Sequence, residues 1–150
     1  MKPFVKTFPG LIRSIITPAR VMNLSSEKKL KVRALWDTGA TNTMISKKIA
    51  TTLALKKTGE ISVRSFAGEK SVSEYYLRLL LSGGFAKDLQ VLELSEIKEA
   101  DILIGMDIIG YGDFLFTLKR EHNISRAKIY FMSPSKGLIV PPHKRSTRQP

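Results

Sequence analysis

Apolar and polar positions alternate through most of this chain, and glycines and polar turns cut the alternation at short intervals, which is a pattern of strands. Residues 11–22 alternate loosely and are partly β-branched, with Pro18 confining that strand to an edge or a bulge. A polar turn over 23–28 leads to a second strand at 30–36, so the two predict a hairpin ending at Asp37. Ser46 is placed to cap a short helix, Ile45, Ile49 and Leu53 recur at helical spacing, and Gly59 is expected to close it. Residues 61–66 and 71–81 predict a second hairpin turning at Ala67-Gly68-Glu69, and Gly83-Gly84 leads into a strand at 89–94. The run Ala100-Asp101-Ile102-Leu103-Ile104 stops at Gly105. After it, Asp107 is expected to cap a brief helix through Ile108 and Ile109, ended by Gly110 and Gly112. Strands at 114–118 and 127–132 form a last pair. The prediction is an all-β fold with one or two short helices.

Composition adds a boundary. From Ser133 onward the chain turns to Pro, Lys, Arg, Ser and Gln, which cannot bury enough apolar surface to order themselves. The expected organisation is one domain over 1–132 and a basic, disordered tail over 133–150. At 150 residues the chain is long enough for one sizeable core.

The chemistry is narrowed by what is scarce. There is no cysteine, which excludes disulfides, thiolate metal sites and cysteine nucleophiles, and leans toward a reducing, cytoplasmic setting. His122 and His143 lie far apart, so neither a histidine metal site nor a Ser-His-Asp triad is expected, and no metal or cofactor is called for. Pro9, Arg13 and Pro18 interrupt the apolar residues near the N-terminus, against a signal peptide, and no stretch approaches a membrane span. The net charge of +12 favours acidic partners, nucleic acid among them, through long-range attraction. Its sources are scattered pairs such as Lys28-Lys29, Lys47-Lys48 and Lys119-Arg120, without an aromatic-interleaved stripe, so a solvated basic surface accounts for most of it. The glycines of Gly105-Met106-Asp107-Ile108-Ile109-Gly110 fit neither the dinucleotide fingerprint nor the P-loop. Trp36, Tyr75, Tyr76 and Phe85 read as core or groove packing, and Glu69 as a solvated turn residue.

Asp37-Thr38-Gly39-Ala40 carries the strongest chemical signal. A carboxylate at the end of the apolar run Val32-Arg33-Ala34-Leu35-Trp36 does nothing for packing and is costly unless hydrogen-bonded. Asp, Thr and Gly also suit an ordinary strand-to-turn junction, so the tetrapeptide alone leaves both readings open.

The order of strand, Asp-Thr-Gly-Ala, glycine-tipped hairpin and Ile102-Leu103-Ile104-Gly105-Met106-Asp107 resembles the retropepsin-like aspartic proteases, over nearly the whole of 11–132. The resemblance implies a closed, barrel-like β domain with a flap hairpin, acting as a homodimer that hydrolyses an extended peptide or protein. It makes Asp37 the catalytic carboxylate. Thr38 would lock the two active-site loops across the dimer, and Gly39 and Ala40 would complete the loop. Phe66, Ala67, Gly68 and Glu69 would form the flap over substrate, and Ile104 and Gly105 would support the catalytic loop from behind. Retroviral members carry an acid shortly after this tetrapeptide and an arginine after the second glycine, joined as an ion pair. Here Thr41, Asn42 and Met106 hold those places, as in the retrotransposon and cellular branch. With one Asp-Thr-Gly per chain, the simplest source of the second carboxylate is a second copy. The rival readings are a noncatalytic dimerisation or peptide-binding domain on the same scaffold, and a basic domain associated with nucleic acid.

Overall fold

The computed structural model of the chain describes residues 2–10, 12–65, 68–121 and 124–133. Its strands are β1 (Phe4–Pro9), β2 (Ile15–Met22), β3 (Lys29–Trp36), β4 (Met44–Ser46), β5 (Lys57–Ser65), β6 (Gly68–Leu80), β7 (Ala86–Leu94), β8 (Ile102–Ile104), β9 (Asp113–Glu121) and β10 (Ile124–Met132). Helix α1 (Lys47–Thr52) follows β4, and α2 (Met106–Ile109) follows β8. The expected all-β class holds.

Seven strands form one sheet in the order β2-β3-β8-β4-β7-β6-β5. A second pairing of β2, with β6 at Arg20–Leu80, Val21–Leu79 and Met22–Arg78, closes six of them into a ring and leaves β5 outside as the partner of β6. Pro18 sits opposite Arg33, on the stretch of β2 whose other edge is unpaired, so its missing N–H costs no second ladder there. A three-stranded sheet, β1-β10-β9, lies apart from the ring in hydrogen bonding.

Aromatic packing joins the two sheets. Trp36, buried at the end of β3, lies 5.9 Å from the Phe4 ring of β1, 5.4 Å from Phe114 of β9 and 5.3 Å from Phe131 of β10. Phe85 meets Phe131 edge-on at 5.4 Å, before β7 begins. The indole Nε1–H donates to the Thr17 hydroxyl at 2.9 Å inside this core, so the one polar atom of the ring is satisfied. Around it pack Val21, Ala34, Ile45, Leu77, Leu79, Val91, Ile102, Ile104 and Ile129, all fully buried.

Several local expectations need correction. The hairpin strand predicted over 11–22 begins only at Ile15, and β1 and the three-residue β4 were not anticipated. β1 exists because Phe4 to Pro9 find Arg126 to Phe131 in antiparallel register, a partner more than a hundred residues away. Ser46 does cap α1, accepting from the Ile49 N–H, but Gly59 does not end it. The chain reverses at Ala54, in the left-handed region at φ 50°, and Gly59 lies within β5 beside a bulge. The terminal carbonyls of Leu53 and Ala54 are taken up by the Asn23 side-chain amide at 2.9 and 3.3 Å. Asp107 is not the cap of α2 either; Gly105 holds that position without a side-chain bond. Trp36 and Phe85 are core residues and Tyr75 packs against the core, whereas Tyr76 stands half exposed on β6. Ser133 is buried and donates to the Tyr111 carbonyl, while 134–150, with the expected tail, lie outside the described residues.

Trp36→Phe keeps an aromatic ring at the centre of the core, fills it less completely, and orphans the buried Thr17 hydroxyl. It is expected to cost about 1–3 kcal/mol. Urea unfolding followed by far-UV circular dichroism measures this, since Trp36 is the sole tryptophan.

Candidate active site

Parallel pairing of β3 with β8 builds the site. Ala34, Leu35 and Trp36 lie beside Ile102, Leu103 and Ile104, and both strands break at the same level, one into Asp37 and the other into Gly105. The Asp37 N–H continues the ladder by donating to the Ile104 carbonyl at 3.0 Å. Fully buried Ile102 and Ile104 fix this pair of strands in the core, so the position of Asp37 is inherited from packing.

Beyond Asp37 the chain runs along the surface. Asp37 and Ala40 are half-buried, and Thr38 and Gly39 are exposed. The Gly39 N–H donates to Asp37 Oδ1 at 2.8 Å, and the Ala40 N–H to the Asp37 carbonyl at 3.3 Å, so the carboxylate is held by its own turn. Gly105 packs against the back of this turn. A Cβ there would lie 2.6 Å from the carbonyl carbon and oxygen of Asn42 and 3.0 Å from the Ala40 carbonyl oxygen, a distance only glycine permits. Backbone bonds stitch the same seam: Met106 N–H to Ala40 O at 2.8 Å, and Asp107 N–H to Thr41 O at 3.1 Å. Thr41 and Asn42 thus meet Asp107 and Gly105 through backbone, and Met106 meets Ala40, at the junction where the resemblance implied no ion pair.

The hairpin of β5 and β6 is a separate arm, joined to the body through β6. Its register pairs Ser65 with Gly68, and the tip residues Phe66 and Ala67 lie outside the described residues. Gly68 has φ 107°, which a side chain would strain. Glu69 is exposed and is also bonded: its carboxylate accepts from the Ser62 hydroxyl across the hairpin at 2.6 Å. The structure therefore brings together Asp37, Thr38, Gly39, Ala40, Ile104 and Gly105. It holds Gly68 and Glu69 on a different element.

The two aspartates that flank β8 and α2 are committed elsewhere. Asp101 Oδ2 accepts from the Arg33 N–H at 2.8 Å, and both oxygens of Asp107 are taken by Thr43. Among the described residues no group of three His, Asp or Glu could hold a metal ion. No helix among them is long and apolar enough to cross a membrane.

The family model described as "gag-polyprotein putative aspartyl protease" matches residues 22–111, which include the whole of this seam. The chain belongs to the retropepsin-like aspartic protease family. The fold is similar to the crystal structure of a retropepsin-like aspartic protease from Rickettsia conorii, with TM-score 0.50 and 16% identity, covering 88% of this chain and 98% of that one. Lesser likenesses are to the retroviral protease-like domain of Ddi1 from Leishmania major (TM-score 0.49, 16% identity, 83% and 98% covered) and to the simian foamy virus protease (TM-score 0.45, 21% identity, 63% and 93% covered). No curated protein gives a significant match in sequence. In this retropepsin-like chain a residue that sequence reasoning missed is Thr43, which is fully buried and bonded on every polar atom.

Gly105→Ala is expected to destabilise the domain by about 1–3 kcal/mol, because the new methyl meets rigid backbone that cannot swing away. Thermal unfolding of the purified variant checks the loss.

Proposed function

We propose that the chain is an aspartic endopeptidase that works as a homodimer, with Asp37 of each protomer sharing one catalytic water. The observation that carries this reading is the placement of Asp37: a carboxylate at the end of a buried strand, held by the Gly39 N–H in an exposed loop with rigid backing. Peptide hydrolysis without a metal or a side-chain nucleophile needs a water activated on one side and a carbonyl and leaving amine protonated on the other. Two adjacent carboxylates sharing a proton supply both, the ionised one as base and the protonated one as acid.

One chain provides one such carboxylate, and Asp101 and Asp107 are engaged by Arg33 and Thr43. A two-fold axis beside Asp37 supplies the second from an identical loop. Thr38 would then bond across that axis. An open apolar edge fits the requirement for a second copy: β9 is an edge strand, and its Phe116 and Leu118 are 39% and 42% exposed on the face that carries buried Ile129 and Ala127. Substrate would lie extended beneath the hairpins of β5 and β6, paired through backbone and read through alternate pockets. Closure of the tips at Phe66, Ala67, Gly68 and Glu69 would exclude water from the reaction.

Asp37→Asn is expected to lower kcat by about 10²–10⁴-fold while fold and dimer survive. Peptide cleavage with and without a pepstatin-type inhibitor, beside sedimentation of the variant, makes the measurement; full activity in Asp37→Asn defeats the assignment. A wild-type protein that dimerises but cleaves no member of a peptide library would be the noncatalytic scaffold instead. The pH profile should fall on both sides. Below the lower apparent pKa both carboxyls are protonated and no base remains, and above the higher one both are ionised and no acid remains. A rate that only climbs toward alkaline pH contradicts the shared proton. Specific activity should also fall on dilution, as protomers separate.

A further inference from the structure

We propose that Asp107 is a positioning residue of the Asp37 site, acting through Thr43 to hold the catalytic loop in place. The inference rests on the endopeptidase reading for its effect on rate. Its structural half stands on the hydrogen bonds alone.

Loop 38–42 has little packing of its own. Thr38, Gly39, Thr41 and Asn42 are exposed, and only Ala40 packs, against the small cluster of Ile97, Ala100 and Leu103. Its geometry is therefore set by the two backbone bonds that Ala40 and Thr41 accept from α2 and by its two ends. The first end is Asp37 itself, fixed to Ile104 through the β3–β8 ladder. The second is Thr43, and Asp107 holds it. Asp107 Oδ2 accepts from the Thr43 N–H at 2.9 Å, and Oδ1 accepts from the Thr43 hydroxyl at 2.7 Å. The same hydroxyl oxygen accepts from the Gly105 N–H at 3.2 Å, and the Thr43 carbonyl accepts from the Leu92 N–H at 3.2 Å. Thr43 is fully buried, so each of these groups would be costly without its partner. A carboxylate gripping one residue with both oxygens is a strong and directional clamp.

The clamp sits on the element that already supports the loop. Asp107 belongs to the first turn of α2, directly after Gly105, and its backbone N–H and that of Met106 donate to Thr41 and Ala40. Losing the side chain would release Thr43 at the far end of the loop and leave the two backbone bonds at Ala40 and Thr41 to hold it alone, free to tilt about them. A displacement of that kind moves the Asp37 carboxylate relative to its counterpart, and proximity effects make rate sensitive to about 1 Å. Substrate contacts made elsewhere would be spared, so the loss should appear in kcat and leave KM nearly unchanged.

The test combines kinetics with amide hydrogen exchange on the full chain. Asp107→Ala is expected to lower kcat by about 10²-fold at nearly constant KM, and to speed exchange at Ala40, Thr43 and Gly105 while β9 and β10 keep their protection. Thr43→Val should match it, the double variant should be no worse than either single one, and Thr43→Ser, which keeps the hydroxyl, should retain activity. If Asp107→Ala does not fold, Asp107→Asn, which keeps an acceptor for the Thr43 N–H, carries the same two measurements with a smaller loss. Wild-type kcat together with wild-type exchange in these variants overturns the proposal, as does a loss of protection spread evenly over the domain. If the wild-type chain cleaves no peptide, the endopeptidase reading fails separately. Exchange then decides the clamp: acceleration confined to the loop upholds it, and unchanged exchange removes it.

Discussion

Three parallel rungs between β3 and β8 govern the rest of this molecule. Ala34, Leu35 and Trp36 align with Ile102, Leu103 and Ile104, and the parallel sense forces both chains to leave the sheet at the same end. Everything between 37 and 101 is the connection that such a pairing requires. It returns through β4, which lies antiparallel on the other side of β8 at Met44–Leu103 and Ile45–Ile102. Asp37 and Gly105 therefore face each other by construction, and the close approach of Gly105 to Asn42 follows from the same geometry.

Rigidity is distributed unevenly around that seam. Behind it, Trp36 is locked between the two sheets by three aromatic neighbours and a buried hydrogen bond to Thr17. In front, the loop from Thr38 to Asn42 is polar and exposed and depends on hydrogen bonds to 104–107 for its shape. The β5–β6 hairpin depends on still less, since its outer part pairs only with itself and carries exposed Glu60, Ser62, Arg64 and Glu69. Local stability should fall in that order. The order suits a site in which the reacting carboxylate is fixed and the element that covers it moves.

The large positive charge sits outside this arrangement. Among the described residues no lysine or arginine is buried, and the cations of β2 and β3 alternate outward as Arg20, Lys31 and Arg33. One half-buried pair, Arg78 with Asp88, bridges β6 and β7, and the guanidinium holds the Asp88 carboxyl below its usual range. Such charges tune solubility and encounter with partners, and leave the fold to the apolar alternation beneath them.

Alternation and turn chemistry alone determined the all-β class, the β2–β3 and β5–β6 hairpins, the Ser46 cap and the tetrapeptide at Asp37, because each of these is written in neighbouring residues. Only the tertiary structure decided the others. β1 needed a partner at the far end of the chain, α1 ends where Asn23 reaches its last carbonyls, and Asp107 serves Thr43 rather than its own helix. In every such case the deciding bond joins residues thirty or more positions apart. A side chain's local propensity says what it can bond to, whereas packing of the sheets determines what comes within its reach.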